Sequence, residues 1–162
     1  MRWLVAVLAC ALSACSPQPP AATGSVPELD GAFGFGALQV INDQGETHQF
    51  DVYLATTPEQ QRRGLMFVRN LPATTGMLFV YAGDRVASMW MKNTFIPLDM
   101  IFARYDGTVS SVIANTEPQS LKSQSAIEPV AFVLELNAGT AARLGIDENS
   151  RIFWQPVHGR DD

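Results

Sequence analysis

The chain has 162 residues, 47% of them hydrophobic and 17% charged, with a formal net charge of −5. That length suits one domain with a real core, and the composition is that of an ordinary globular protein. The acidic balance, with no basic run and no basic-aromatic patch, weighs against a nucleic-acid partner.

Met1-Arg2 followed by the apolar run Trp3 to Leu12 has the layout of a secretory signal. About ten apolar residues are too few to span a bilayer as a permanent helix. The run ends Leu12-Ser13-Ala14-Cys15, which resembles a bacterial lipobox, where the signal is cut before the cysteine and the thiol is lipidated. The alternative is ordinary cleavage near the same small residues, which leaves Cys15 free. By resemblance to bacterial lipoproteins, Ser16 after the cysteine favours the outer membrane, so the expectation is an envelope lipoprotein facing the periplasm. Several acyl chains anchor stably, because each buried methylene adds about 0.8 kcal/mol. With Cys10 in the signal and Cys15 lipidated, the mature domain has no disulfide, no thiolate nucleophile and no cysteine metal ligand.

Residues 1–14 are thus read as the signal peptide, 15–36 as lipidated Cys15 and tether, 37–156 as the globular domain, and 157–162 as a disordered tail. The tether carries Pro17, Pro19, Pro20 and Pro27 among Ala, Ser, Thr and Gly. It is too poor in apolar residues to fold alone, and it would hold the domain roughly 25 Å from the lipid. Phe33 and Phe35 either dock on the domain edge or end the tether.

Leu38 to Ile41 and His48 to Leu54 alternate as strands, joined through Asn42-Asp43-Gln44-Gly45. Thr57-Pro58-Glu59-Gln60 gives an N-cap, a proline at the first helical position and a capping-box glutamine, and Gly64 ends that short helix. Strands follow at 77–82 and 86–92. Those at 98–105 and 108–114 flank Asp106-Gly107, a strong hairpin signal. A polar loop runs from Asn115 to Glu128, and the nearly continuous apolar run Pro129 to Leu136 reads as a central strand. Asn137 is placed as the cap of a helix ending at Gly145, and Arg151 to Trp154 is the last strand. Seven or eight short strands with two short helices predict a mainly β, sandwich or barrel-like domain.

Four blocks stand in order: Arg63-Gly64-Leu65-Met66, Gly76-Met77-Leu78-Phe79, Trp90-Met91-Lys92-Asn93-Thr94 with Ile96-Pro97-Leu98-Asp99, and Leu134-Glu135-Leu136-Asn137-Ala138-Gly139. Together they resemble the family named domain of unknown function 192, over roughly residues 38 to 155. The resemblance implies a compact β-rich domain, akin to a sandwich or jelly roll, and no activity. Glu148-Asn149-Ser150-Arg151 departs from the Gly-Asp pair common there in the family, though Asn149 can take a positive-φ turn.

A four-residue loop over Thr94 to Pro97 would pair Asn93 with Leu98 and set Lys92 opposite Asp99, with Trp90 beside Ile101. A surface Lys–Asp pair contributes only about 0.2–1 kcal/mol, whereas charges beside a buried indole are costlier. The pair reads either as a cover for the sheet edge or as a pocket rim. Glu135, an acid in an apolar strand, needs a partner, and Arg63, Lys92 or backbone amides near Asn137 could supply one. Arg63 otherwise pairs with Glu59 on the helix surface, and Asn93 and Thr94 otherwise serve turn chemistry.

The candidate ligand-binding residues are therefore Trp90, Lys92, Asn93, Asp99, Arg63 and Glu135, in a module that binds a small molecule or an envelope protein, with no cofactor. A hydrolase-like enzyme would use Asp99 or Glu135 as acid or base with Lys92 as electrostatic partner. A lower alternative is copper(I) on thioethers, gathering Met77, Met89, Met91 and Met100, although strand parity puts Met89 and Met91 on the face opposite Trp90.

Overall fold

Alternating apolar residues along the strands give this chain two apolar sheet faces, and the fold buries both. The computed structural model describes residues 25–154. The expected signal peptide, lipidated Cys15, the first part of the tether and the expected tail lie outside the described residues.

In chain order the elements are β1 (Gly34–Ile41), β2 (Thr47–Ala55), α1 (Pro58–Arg63), β3 (Thr75–Arg85), β4 (Ser88–Met89) and β5 (Leu98–Ala103). There follow β6 (Val109–Ile113), β7 (Gln124–Ser125), β8 (Val130–Asn137), α2 (Thr140–Leu144) and β9 (Arg151–Trp154). Seven strands form one sheet in the order β6-β5-β8-β3-β2-β1-β9, and β4 pairs separately with β7. β2 and β3 run parallel while the other neighbours are antiparallel.

The sheet curls until its two edges meet. Thr108 bridges Arg151, Ile152 N–H donates to the Gly107 carbonyl at 2.8 Å, and Val109 N–H donates to Ser150 at 3.0 Å. Strands from both edges and the middle fill the inside of the curl with Leu38, Val52, Leu78, Ile101, Val109, Leu134 and Ile152. The domain is mainly β and barrel-like, as expected, and β8 lies inside the sheet between β5 and β3.

The outer face of β2, β3, β8 and β5 carries Tyr53, Met77, Phe79, Val133 and Met100, and loops cover it with Leu65, Val68, Leu71 and Met91. Part of that cover comes from residues expected in the tether. Val26, Leu29 and Phe33 are buried against this second core, and Tyr53 Oη both donates to Asp30 at 2.7 Å and accepts from Val26 N–H at 2.9 Å. Residues from Val26 onward thus belong to the folded domain. Docked apolar side chains, rather than tether composition, decide the matter for residues 26–36.

α1 has the expected capping box between Thr57 and Gln60, proline in its first turn and Gly64 at its end. α2 starts differently from expectation. Asn137 stays in β8 and donates to the Leu71 carbonyl at 2.8 Å, so Gly139, in a left-handed conformation, occupies the N-cap. The Asp106-Gly107 hairpin forms, with Gly107 at φ 85 and Thr108 N–H donating to Asp106 at 2.9 Å.

Candidate functional site

Glu135 lies on β8 with Met77 of β3 and Met100 of β5 as its register neighbours on either side. Period-2 alternation sends Val133 and Glu135 to the same, loop-covered face. The residue is 4% exposed, and among the described residues its carboxyl has no hydrogen-bond partner. Burial alone pushes its pKa from 4.5 up to about 8, because the charged form loses its hydration and gains no compensating donor.

Glu135 lines a narrow cleft walled by α1 and the loop after it (Gln61, Arg63, Met66), by the end of β4 (Met89) and by the loop before β5 (Trp90, Thr94). The free volume is about 20 Å³, room for a single water or a group of that size. Burial pushes the nearby Tyr81 phenol up to about 12, against the pull of the Arg85 guanidinium and with a smaller push from Glu135. The Tyr81 hydroxyl donates to the Met89 sulfur at 3.5 Å.

Backbone strain gathers in the segments next to the cleft-lining Met66 and Thr94. Phe67, Asn93 and Gln119 are three of four non-glycine residues with positive φ among the described residues, at 70°, 55° and 61°. They are tied together: Phe67 N–H donates to the Asn93 carbonyl at 2.9 Å, and Gln119 N–H donates to the Thr94 carbonyl at 3.0 Å. Such conformations cost about 1–3 kcal/mol each and concentrate where a fixed loop shape matters.

The six candidate residues part company here. Arg63, Trp90 and Glu135 line one cleft. Lys92 is exposed and stacks its ammonium 5.0 Å from the Trp90 ring. Asn93 shapes the adjoining loop through its backbone, and its amide approaches the Met66 sulfur at 3.9 Å. Asp99 is elsewhere and fully buried, its two oxygens accepting from Asn115 N–H at 2.9 Å and Ala141 N–H at 2.8 Å.

The expected Lys92–Asp99 pair therefore does not form. The reason is the connection: β4 ends at Met89, residues 90–97 form an irregular loop, and β5 pairs with β8 and β6 instead of a strand at 86–92. Arg63 does not pair with Glu59 either; Arg62 does, at 2.7 Å. Arg63 donates to the Glu28 carbonyl and lies 5.4 Å from the Phe33 ring centre. No named donor near Glu135 takes up its carboxyl, which corrects the expectation of a buttressed acid.

The same geometry bears on the enzyme and copper readings. The acid or base was expected to be Asp99 or Glu135 with Lys92 as its electrostatic partner; Asp99 instead accepts from Asn115 and Ala141, and Lys92 rests on Trp90 and does not line the cleft of Glu135. Strand parity does not hold at 90–91, and Met89 lines the cleft together with Trp90. The thioethers face separate donors: Met91 accepts from the Thr116 hydroxyl at 3.2 Å, Met89 from Tyr81. Among the described residues no three His, Cys, Asp or Glu side chains gather for a metal.

Tyr81 and Gln61 were missed in the sequence, and Met89 was considered only for copper, because their meeting depends on how irregular loops fold over the sheet. Asn93 carried a usable signal, since asparagine tolerates positive φ. Phe67 carried none.

The chain matches the DUF192 family model, described as an uncharacterized ACR, over residues 39–154. A crystal structure from Sinorhizobium meliloti 1021, described as a "putative transcription regulator", is 42% identical with a TM-score of 0.74, covering 75% of this chain and 95% of that one. A protein of unknown function from Novosphingobium aromaticivorans DSM 12444 is 37% identical, also with a TM-score of 0.74, covering 77% of this chain and 89% of that one. No curated protein matches.

Proposed function

From the premise that this chain belongs to the DUF192 family, we propose that it is a non-catalytic binding module. Its ligand group enters the cleft over Glu135, with Trp90 at the mouth. One observation carries this reading: Glu135, a residue 4% exposed whose carboxyl has no hydrogen-bond partner among the described residues, lines a cleft. A carboxyl so little hydrated gains from a guest that donates a hydrogen bond to it. The strained segments beside the cleft support the same reading, because they hold the loop around Trp90 in one shape.

The module sits in the cell envelope, anchored through lipidated Cys15 to the outer membrane and facing the periplasm. The support is the apolar run Trp3 to Leu12 followed by Leu12-Ser13-Ala14-Cys15. The partner is an envelope protein or a small molecule, not nucleic acid: the net charge of −5 and the lack of a basic run offer phosphates nothing. For that reason the description of the Sinorhizobium protein is not carried over.

The test is a fragment screen on the full chain, followed by NMR at the Trp90 indole N–H and the Glu135 carboxyl carbon. Fragments of at most a few heavy atoms at the polar end should shift both signals together. Hits confined to other surfaces, with these two signals unmoved, would contradict the proposal.

A further inference from the structure

We infer that the group this cleft accepts is a primary ammonium on an unbranched aliphatic stem, seated on Glu135 with its stem crossing Trp90. The inference rests on the binding reading above and names its ligand class. The room over Glu135, about 20 Å³, matches an ammonium, which is about the size of a water. A planar guanidinium is broader and does not fit.

The indole at the mouth already holds one ammonium against its ring, that of the chain's own Lys92. The Lys92 ammonium lies 5.0 Å from the Trp90 ring centre, in cation–π range, and Trp90 still leaves 48% of its surface exposed. Beside the polar hole is a wider groove of about 190 Å³, lined by Ser88, Met89, Trp90, Leu121 and Ser123. Met89 and Trp90 belong to both spaces. An aliphatic stem leaving Glu135 therefore passes over apolar surface into a groove where Leu121 is 71% exposed.

The charges that face Glu135 permit a cation. From β3 comes the phenol of Tyr81, neutral at physiological pH. From α1 come Arg62 and Arg63, whose guanidiniums are engaged by Glu59 and by the Glu28 carbonyl over the Phe33 ring. From the loop before β5 comes Lys92, held on the indole. β5 contributes the uncharged Met100. Among the described residues that line the cleft, Glu135 is the one acid and there is no histidine, so a divalent metal lacks its ligand set while one ammonium needs only one carboxylate. Binding moves a single proton: the carboxyl of the empty cleft gives its proton to solvent as the ammonium arrives.

The probes are n-hexylamine and Nα-acetyl-lysine methylamide, which separate a free amine from a lysine side chain, against n-hexanol and n-hexylguanidine. They are titrated into the full chain while the Trp90 indole N–H is followed. At least one amine should bind tenfold or more tightly than hexanol and the guanidine, and the tighter amine names the source. That amine's affinity should fall about tenfold per pH unit as the pH drops below about 8, because the proton that Glu135 must release is then held more firmly. Glu135→Gln should remove the preference over hexanol; if that variant does not fold, the pH dependence of the wild type decides. Amines and hexanol binding alike, or an amine preference kept in Glu135→Gln, overturns the ammonium inference and leaves a cleft that binds. Silence of Trp90 to every probe overturns both.

Discussion

Asp99, on β5, accepts a 2.8 Å hydrogen bond from the backbone N–H of Ala141, forty-two residues further along in the first turn of α2. Its other oxygen accepts from Asn115 N–H at 2.9 Å. The carboxylate does the work of an N-cap side chain that Gly139 cannot do, and it pins the loop after β6 to the same point.

Asp99→Ala leaves two N–H groups without their acceptor and should cost about 2–4 kcal/mol. Lys92→Ala removes an exposed cation–π contact and should cost less than about 1 kcal/mol. Urea denaturation of the two variants checks this. Equal and near-zero losses would mean that Asp99 is not the cap described.

Gly76 on β3 has its α-carbon packed against β8. A β-carbon there would lie 2.6 Å from the Glu135 carbonyl oxygen and 2.7 Å from a Leu136 methyl. Backbone cannot yield as a side-chain tip can, so Gly76→Ala should push β3 from β8 and lower stability by about 1–3 kcal/mol. Gly83→Ala, where nothing lies within 4 Å, is the control and should be near neutral. Thermal melts of both variants make the comparison.

Leu29 is fully buried, although its neighbours read as a tether. Leu29→Ala should cost about 3 kcal/mol, the ordinary loss for a core leucine. A loss below about 0.5 kcal/mol, the range of an exposed substitution, would mean that residues 26–33 do not belong to the domain. Chemical denaturation distinguishes the two.

Periodicity and turn chemistry made most of the sheet legible. The Asp106-Gly107 turn, the Thr57–Gln60 capping box and the apolar run of β8 each declare themselves locally, because the chemistry lies within a few residues. The site was legible only in part. An acid within the apolar run Pro129–Leu136 drew attention to Glu135; Trp90 was expected as a partly buried indole beside the Lys92–Asp99 pair, whereas it is 48% exposed. The Lys92–Asp99 pairing failed because hairpin register was assumed across residues 90–97, where the chain instead makes left-handed turns at Asn93 and bonds to Phe67. Val26, Leu29 and Phe33 recur at helix-like spacing, a signal outweighed by the surrounding proline and glycine.

Burial of Glu135 makes stability depend on pH. Unfolded, the group ionises near 4.5, whereas folded it keeps its proton to about 8. Below pH 4.5 both states hold the proton and nothing is lost. As pH rises towards 8 only the unfolded chain releases it, so stability declines, by on the order of 4 kcal/mol in all. Glu135→Gln should flatten that slope between pH 5 and 8. Denaturant titrations at several pH values measure it, and parallel curves for the two proteins would contradict the assignment.

The most direct measurement is the pH titration of the Glu135 carboxyl carbon by NMR in the unliganded full chain. An unpartnered acid at the floor of the cleft should titrate near pH 8, several units above an exposed glutamate. A midpoint near 4.5 would mean that the carboxyl is solvated or paired, and the cleft would lose the group that makes it a binding site.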